Sequence, residues 1–413
     1  MENIFITNLA IDKVRHLENI HIPLAQERIK HLIITGKNGS GKTSVLDALA
    51  GYLNEVSTSL NMLDYKEAIE DLENNYDELL RNGNEEARIK KDIECNRENF
   101  RQATHGLSLE LNYSLKDFFT MFQHGDFIIA YYKADRVFQA LIPKHVEKVE
   151  LQDNYTIAET PRGDFVKYLL DLKMTEALAV TGGKKDKADK IERWFGKFEN
   201  LLQRIFEEPL LRLEFDEDTF RFNIYMPERE PFDFNTLSSG YAAVLDILVD
   251  IIIRMEKRTD KTFDFNMPGI VLIDEIETHL HLELQKKILD LLTTVFPNIQ
   301  FIVTTHSPFI LNSLENVVVY DLENHILVKD GLANIPYDGI VEGYFKADTM
   351  SSLLRDKYER YKTLVCKKKL SDEEFEEIAK LELFLDEIPD YLALDITTEF
   401  KRLKLDFENR EDL

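Results

Sequence analysis

The sequence predicts an α/β protein built around a mostly parallel β-sheet. Three apolar runs have the length and composition of strands covered on both faces: His31–Thr35, Ile270–Ile273 and Phe301–Val303. Over residues 237–320 the pattern alternates between helix and strand, which favours parallel strands joined by crossover helices. The remaining segments are predicted to be additions to this sheet.

The N-terminal lobe is predicted to comprise residues 1–57. The short apolar stretches Ile4–Ile6 and Ile20–Ile22 have the character of strands, and His31–Thr35 follows them as a buried strand. A glycine-rich turn comes next, and we expect a helix from about Lys42 to Leu53. The order strand, glycine-rich turn, helix is the setting of the strongest motif in the chain.

That motif, the turn from Gly36 to Thr43, has the pattern of a phosphate-binding loop. Its glycines let the backbone N–H groups curl around phosphate oxygens, and the helix N-terminus adds a favourable dipole. We expect Lys42 to contact the β- and γ-phosphates of ATP and Thr43 to offer its hydroxyl to Mg²⁺. The residues predicted to bind the nucleotide here are Gly36, Lys37, Asn38, Gly39, Ser40, Gly41, Lys42, Thr43 and Ser44.

Residues 58–102 are predicted to form a helical hairpin insertion that projects from the sheet domain. They are polar, highly charged and free of proline, and apolar residues recur at spacings of three and four. The alternative is a pair of ordinary surface helices packed on the core. The first apolar seam contains Met62, Tyr65, Ile69, Leu72, Tyr76 and Leu79, and a weaker second seam contains Ile89, Ile93 and Phe100.

The middle of the chain is predicted to contain a further part of the sheet domain, followed by a second insertion. Strand patterns at Leu107–Tyr113 and Phe127–Tyr132 assign residues 103–160 to the sheet domain. Residues 161–208 are predicted to be a second helical insertion, whose second helix has a wide apolar face. That face contains Trp194, Phe195, Phe198, Leu201, Leu202, Ile205 and Phe206.

Residues 209–338 are predicted to form the C-terminal lobe, which begins with an antiparallel hairpin of Leu210–Phe215 and Phe220–Tyr225. Further along, Asp274 and Glu275 end an apolar run. Ligands of open α/β sheets bind at the carboxyl ends of the strands, where these two acids are expected. We expect Asp274 to hold Mg²⁺ and Glu275 to orient and polarise an attacking water.

Two further motifs lie in this lobe. His306 follows the third apolar run, and we expect it to sense the γ-phosphate of ATP. Ser238 is the predicted N-cap of an apolar helix, and Ser238, Ser239 and Gly240 are predicted to form a second phosphate-accepting helix start. One chain does not easily bring both phosphate sites to the same ATP. We therefore expect a two-fold dimer in which each copy completes the other's site.

Together these motifs resemble those of the ABC-type ATPases and, within them, the soluble SMC- and RecF-like branch. Phosphate loop, signature, acidic strand and switch histidine follow in the family's order, with Ser239 in place of the first signature glycine and Tyr241 in place of the usual glutamine. The resemblance implies an ABC-type P-loop ATPase head that binds ATP and Mg²⁺ and dimerises around ATP. Arg136 or Gln139 is expected to stand in for the family's glutamine-loop residue.

The run from Asp274 to His281 is similar to the acid-then-His-Leu-His run of the OLD-family and related phage-defence ATPases. His279 and His281 are expected at the dimer interface, and a metal site is the alternative. Most of the chain resembles the ATPase subunits of Septu-type, PARIS-type and retron-associated defence systems. That likeness implies a sensor or regulator subunit that controls a separate effector, a nuclease or toxin. A DNA-repair or recombination ATPase that clamps DNA is the alternative.

The composition of the chain limits the kinds of partner that it is expected to bind. The 413 residues carry a formal net charge of −25, so any contact with nucleic acid needs a local basic patch. Cys95 and Cys366 match no metal spacing, and no apolar run is long enough to span a bilayer, so we expect a cytoplasmic protein. A transporter ATPase is disfavoured because nothing resembles a membrane-coupling element. Residues 339–413 are predicted to be helical and charged, without a nuclease motif, so the effector is expected to be another protein.

Overall fold

The computed structural model describes residues 3–81, 86–136, 143, 145–335, 339–340, 352–367, 369–386 and 394–410. The chain divides into two compact units, Met1–Ile335 and Pro336–Leu413. The strands of the first unit are β1 Ile6–Val14, β2 Leu17–Pro23, β3 His31–Thr35, β4 Leu107–Leu111, β5 Ile128–Tyr132, β6 Arg212–Asp216, β7 Arg221–Tyr225, β8 Phe232–Asp233, β9 Gly269–Ile273, β10 Ile299–Thr304, β11 Val317–Asp321 and β12 Ile326–Val328.

Helices surround these strands. In the first unit they are α1 Lys42–Thr58, α2 Asn61–Asn74, α3 Tyr76–Arg81, α4 Glu86–Ala103, α5 Leu115–Gln123, α6 Phe165–Thr181, α7 Lys185–Phe206, α8 Ser239–Thr259, α9 Leu282–Val295 and α10 Pro308–Leu311, with a short 3-10 helix at Pro161–Asp164. Helix α1 is longer than predicted because its apolar face continues through Val56 into the core.

A six-stranded sheet in the order β12-β11-β3-β10-β9-β5 forms the centre of the first unit. Its first five strands along the chain run parallel, and β12 at one edge is antiparallel. Every residue of β3, β9, β10 and β11 is buried, as expected of parallel strands covered on both faces. The predicted fold class, an ABC-type P-loop ATPase head with a mostly parallel sheet, is confirmed.

The strand order decides which loops meet. Strand β10 lies between β3 and β9, and its Val303 is in register with Ile33 on one side and Ile273 on the other. Because the three strands are parallel, the segments that follow them leave the sheet at the same edge. These segments are the glycine-rich turn, the acidic pair and the histidine segment.

Two small antiparallel sheets, β2-β1-β4 and β6-β7-β8, complete the strands of the first unit and confirm the predicted antiparallel β subdomain. The first strand differs from its prediction, because β1 begins at Ile6 and runs to Val14. Phe5 precedes it, since the Phe5 N–H donates to the Asn112 side chain at 2.8 Å and makes no ladder bond. Ile4 is buried in the core beside these strands.

Helices α2, α3 and α4 form the predicted hairpin. Helices α2 and α4 pack against each other, and an ion pair of 2.6 Å between Arg97 and Glu73 joins them. Met62 at the base of the hairpin belongs to the main core, whereas most of the first seam is half-buried. The side chain of Leu79 lies outside those that the structure describes. The helices therefore pack mainly on each other and meet the sheet domain at one end.

The second helical insertion, α6 and α7, packs through the apolar face that the sequence predicts. Trp194, Phe198 and Leu202 are almost fully buried, and Phe198 meets Phe165 of α6 edge-on at 5.3 Å between ring centroids. Aromatic side chains bury large apolar areas and favour such edge-to-face geometry. The contact fixes α7 on α6.

In the described residues of the second unit there are three helices, α11 Ser352–Val365, α12 Asp372–Asp386 and α13 Leu394–Glu408. They share a small core of Tyr358, Tyr361, Leu364, Val365, Ile378, Leu385, Phe400 and Phe407. Within the ranges that the structure describes, the two units contain no helix that is both long enough and apolar enough to cross a membrane.

Candidate active site

The glycine-rich turn leads from β3 into α1. Its glycines Gly36, Gly39 and Gly41 have φ values of 138°, 84° and 100°, which is the region where side chains are disfavoured. A Cβ on Gly36 would lie 2.8 Å from the Ser40 hydroxyl oxygen. Gly41 is the N-cap of α1 and supplies no side-chain cap. The first N–H groups of α1 are thus oriented as an anion-binding helix start requires.

Lys42 spans this turn. Its Nζ donates to the carbonyl oxygens of Gly36 at 2.9 Å and Lys37 at 3.2 Å. Burial lowers the pKa of Lys42, while the charges of Glu275 and Glu277 act in the opposite direction. The ammonium group of Lys42 is therefore close to the carboxylates of the segment Asp274–Glu277, which follows β9 and is called the acidic turn below.

Asp274 connects the helix start after the glycine-rich turn with the sheet. Its two carboxylate oxygens accept hydrogen bonds from the Thr43 hydroxyl at 2.9 Å and from the Thr304 hydroxyl at 2.6 Å. The structure thus brings together Thr43 and Asp274, the two predicted Mg²⁺ ligands. Thr304 was not singled out in the sequence, although its position at the end of β10, next to β9, is the signal that indicates it.

Glu275 has an unusual backbone conformation. Its φ of 43° is left-handed, and its N–H donates to the Thr304 hydroxyl at 2.8 Å. The half-buried carboxylate has one long contact, from the Thr278 hydroxyl at 3.4 Å. Glu277, two residues on, accepts the His306 backbone N–H at 2.5 Å. The sequence did not predict a role for Glu277, which ties the acidic turn to the histidine segment.

His306 is half-buried at the same sheet edge. Among the described residues, its Nε2 has no hydrogen-bond partner. Burial lowers the pKa of His306, and the charge of Lys42 lowers it further, while Glu277 opposes both. A neutral imidazole with one free nitrogen is suited to a hydrogen bond with a phosphate oxygen or with water.

Arg136 follows β5 and is 5% exposed. Its guanidinium donates to the carbonyl oxygens of Asp274 at 2.9 Å, Glu275 at 3.2 Å and Ile276 at 2.9 Å. Burial lowers the pKa of Arg136, and nearby carboxylates oppose that effect. Gln139, the other candidate for the glutamine-loop position, lies outside the described residues. Arg136 is therefore bound to the backbone of the acidic turn.

The start of α8 is exposed. Ser238 occupies the N-cap, as predicted, but its side chain accepts no cap hydrogen bond, in contrast to the usual role of a serine there. Ser238 and Ser239 are exposed, while Gly240 is buried, and a Cβ on Gly240 would lie 3.1 Å from the His279 carbonyl oxygen. Tyr241 stacks on Phe206 of α7 with ring centroids 4.3 Å apart. The helix start is thus held against the loop after the acidic turn.

The predicted site residues form two separate groups within one chain. Lys42, Thr43, Asp274 and Glu275 meet with His306 at one edge of the central sheet. Among the hydrogen bonds and ion pairs of the described residues, none joins Ser238 or Ser239 to the glycine-rich turn.

A buried charge network ties α8 to β5. Asp250 accepts the Tyr132 hydroxyl at 2.8 Å and pairs with Arg254 at 2.7 Å, and Asp246 pairs with Arg162 at 2.6 Å. Burial raises the pKa of Asp246 to about 6, against the lowering effect of Arg162. This network was not predicted, because its members are spread over more than a hundred residues of the sequence.

The alternative of a metal site at His279 and His281 gains no support. Both side chains are exposed. In the part of the chain that the structure describes, no group of three or more histidine, cysteine, aspartate or glutamate side chains is placed to hold a metal ion. His281 instead meets the ring of Tyr241 edge-on at 6.1 Å.

A family model matches the part of the chain that contains this site. A family model described as "AAA domain, putative AbiEii toxin, Type IV TA system" matches residues 32–312. That stretch includes the glycine-rich turn, the start of α8, the acidic turn and the histidine segment. The match covers more than half of the chain.

Two curated relatives are named as a Septu protein and as a retron ATPase. The Septu protein PtuA of Bacillus mycoides is 24% identical over 392 residues, which is 92% of this chain and 50% of that protein. The Retron Ec83 probable ATPase of Escherichia coli is 33% identical over 147 residues, which is 33% of this chain and 26% of that protein. The chain therefore spans half or less of the length of these relatives.

Among solved structures, the SMC head domain from Thermotoga maritima is similar to this chain. It has a TM-score of 0.36 and 12% sequence identity, and the alignment covers 76% of this chain and 94% of that one.

Proposed function

The chain belongs to the AAA-domain family whose model matches residues 32–312 and is an ATPase of that family, and from this premise we propose that two copies of it bind and hydrolyse ATP between them to control a separate effector protein. The observation that carries the proposal is the division of the site. The residues predicted to bind phosphate, to bind the metal and to orient water lie at one sheet edge, whereas the second predicted phosphate-accepting group is exposed at the start of α8.

The residues at the sheet edge fit a nucleotide with Mg²⁺. A hydroxyl from Thr43 and a carboxylate from Asp274 are 2.9 Å apart, and hard cations such as Mg²⁺ prefer such oxygen ligands. These two residues would hold the ion together with phosphate oxygens. Bound Mg²⁺ supplies positive charge that offsets the charge of the phosphates. Lys42 places a second positive charge at the mouth of the loop.

Glu275 is proposed to orient the attacking water and to accept its proton. Unlike Asp274, whose two oxygens are both held by threonine hydroxyls, Glu275 has a half-buried carboxylate with one long contact. A base must have a free oxygen within hydrogen-bond reach of its water. His306, whose Nε2 has no partner among the described residues, is proposed to donate to the γ-phosphate and so to report its presence.

The exposed start of α8 supports the dimer. Ser238 leaves its own helix uncapped, so its hydroxyl and the first N–H groups of α8 are available to an anion from outside the chain. A two-fold axis would give each copy's ATP one such helix start from the other copy. ATP then acts as the bridge between the copies, and its hydrolysis releases them.

The control of an effector is proposed from the relatives. One is named a Septu protein and another a retron ATPase, so we propose that the chain is the sensor or regulator ATPase of a prokaryotic anti-phage defence system. Among the described residues, helices α2 to α4 and the second unit contribute none to the proposed ATP site, so these segments are available to hold the effector. We propose that closure of the dimer on ATP moves the hairpin of α2 to α4 as a rigid arm.

Affinity capture from cells that express the native gene cluster tests this function. The full-length protein is expected to capture a co-encoded effector in the presence of ATP and Mg²⁺. Lys42→Ala is expected to lose both capture and phage protection because it does not hold ATP. Glu275→Gln, which holds ATP without rapid turnover, is the matched control and is expected to keep capture.

Deletion of residues 58–102, or of the residues after 338, is expected to weaken capture while ATP binding persists. Capture that is equally strong with Lys42→Ala and wild type, or that survives both deletions, would contradict the proposal. So would cleavage of DNA or RNA by the purified protein alone that depends on Glu275.

A further inference from the structure

We infer that Arg136 is a positioning residue for ATP hydrolysis, which holds the backbone of the acidic turn so that Glu275 faces the attacking water. This inference rests on the proposed role of Glu275. Arg136 itself follows β5 at the edge of the central sheet and reaches the turn that follows the neighbouring strand β9. It is separated from that turn by more than 130 residues of sequence.

The guanidinium binds three successive carbonyl oxygens. Nη1 donates to Asp274 O at 2.9 Å, and Nη2 donates to Glu275 O at 3.2 Å and Ile276 O at 2.9 Å. Nη1 also donates to Lys133 O at 3.2 Å, which closes the loop that carries the arginine. A planar fork with several donors in fixed directions suits such an array, and a lysine ammonium does not reproduce it.

The amide side of the same three residues is also fully bound. Asp274 N donates to Tyr132 O at 2.8 Å, and Ile276 N donates to Thr304 O at 3.1 Å. Glu275 N donates to the Thr304 hydroxyl at 2.8 Å. Every backbone polar group of the turn thus has a partner on β5, on β10 or on Arg136, as buried backbone requires. The Glu275 carbonyl oxygen also accepts the Thr278 N–H at 2.9 Å. Without Arg136, the carbonyl oxygens of Asp274 and Ile276 therefore lose the hydrogen bonds described for them.

The turn requires the hydrogen bonds from Arg136 because of the backbone conformation of Glu275. Its φ of 43° lies in the left-handed region, which a residue with a Cβ adopts at a cost. Such a conformation persists where surrounding hydrogen bonds determine it. Released from Arg136, the turn is expected to relax toward ordinary backbone angles, which would turn the Glu275 carboxylate away from its water. Thr43 and Lys42, which are proposed to bind the nucleotide, lie outside this turn and are expected to stay in place.

Steady-state kinetics of the full-length Arg136→Lys protein test this role. The expected result is a decrease in kcat of about 10- to 100-fold, with the KM and the affinity for a slowly hydrolysed ATP analogue unchanged, because positioning errors act on the chemical step. Millimolar guanidinium added to Arg136→Ala is expected to restore part of the lost turnover. An unchanged kcat in both variants, or equal losses in kcat and nucleotide affinity, would overturn the inference.

A double-mutant cycle separates positioning from general stability. If Arg136 acts through Glu275, then Arg136→Lys is expected to cost little more in the Glu275→Gln background, measured by single-turnover hydrolysis of labelled ATP. Arg254→Lys is the matched control, because Arg254 is equally buried and also donates to backbone carbonyls, Ile129 O and Thr156 O, but to none in the acidic turn. Arg254→Lys is expected to change the rate of hydrolysis by the same factor in the wild-type and Glu275→Gln backgrounds.

Additive losses for Arg136→Lys and Glu275→Gln would show that the arginine supports only the fold and would overturn the inference. So would the same non-additivity for Arg254→Lys. Failure of the proposed function gives a different result, namely absence of ATP turnover in the wild type or normal turnover in Glu275→Gln alone.

Discussion

Asp274 and Glu275 are adjacent in the sequence, yet their surroundings differ. Asp274 is 3% exposed, and both of its oxygens accept hydrogen bonds from threonine hydroxyls. Glu275 is half-buried, and its carboxylate has one long contact with Thr278. A fixed carboxylate suits a metal ligand, and a freer one suits a base that must take up a proton. The difference arises because the chain reverses at Glu275, where φ is positive.

This difference predicts the behaviour of two similar substitutions in the same turn. Glu275→Gln is expected to keep ATP binding and to slow turnover by on the order of 100-fold or more, because it removes the carboxylate that is proposed to orient the water. Glu277→Gln removes the same charge two residues away but keeps an oxygen that accepts the His306 N–H, so a much smaller loss is expected. The rate of ATP turnover and the affinity for an ATP analogue, measured for both purified variants, test this difference. Equal losses in the two variants would contradict the assignment.

At the scale of elements, α8 links several parts of the first unit. Its start contacts the loop after the acidic turn, its middle binds β5 through Asp250, and its end holds Glu256 against α6. Glu256 is 1% exposed and accepts the Tyr168 hydroxyl at 2.8 Å. Burial raises the pKa of Glu256 from 4.5 to about 7, while the hydrogen bond from Tyr168 acts against that rise.

A raised carboxyl pKa makes stability depend on pH in a defined direction. The folded state holds the Glu256 proton more tightly than the unfolded state, so the contribution of Glu256 is fully present below pH 4.5 and is lost as pH rises through about 7. Glu256→Gln keeps the neutral form at every pH. Its stability relative to wild type is therefore expected to rise between pH 5 and pH 8, by roughly 2 to 3 kcal/mol.

Denaturant unfolding of both proteins at the two pH values measures that rise. Any constant penalty of the glutamine cancels in the comparison, so the change with pH is the diagnostic quantity. Glu192→Gln, at an exposed glutamate on α7, is the control for the replacement of a glutamate by glutamine outside the core. A pH-independent difference for Glu256→Gln would contradict the burial argument.

Elements that depend on local sequence were predictable, and contacts between distant elements were not. The glycine-rich turn, strand β3 and the N-cap position of Ser238 follow from short patterns. Helix α5 was missed, although Ser114 and Asp117 form a capping box at its start, because the segment is short and lies between strands. The interactions of Arg136 with the acidic turn could not be predicted from the sequence, because they depend on the pairing of β5 with β9.

At the scale of the whole molecule, the net charge of −25 opposes the association of two identical chains, so contacts at the interface must overcome that repulsion. ATP supplies such contacts if its phosphates are bound by Lys42 of one copy and by the start of α8 of the other. Ser238 is exposed and about two hundred residues from Lys42, and no described hydrogen bond or ion pair connects the two in one chain. The account therefore depends on sharing of the ATP site between copies.

Turnover by a mixture of two inactive proteins, Lys42→Ala and Ser238→Arg, measures that sharing directly. Half of the dimers in an equal mixture contain one copy of each, and in a shared arrangement each such dimer has one intact site and one doubly damaged site. The account predicts that the mixture regains roughly a quarter of wild-type turnover, although each protein alone has almost none. Absence of any recovered turnover, while differently tagged copies capture each other from the same mixture, would contradict it.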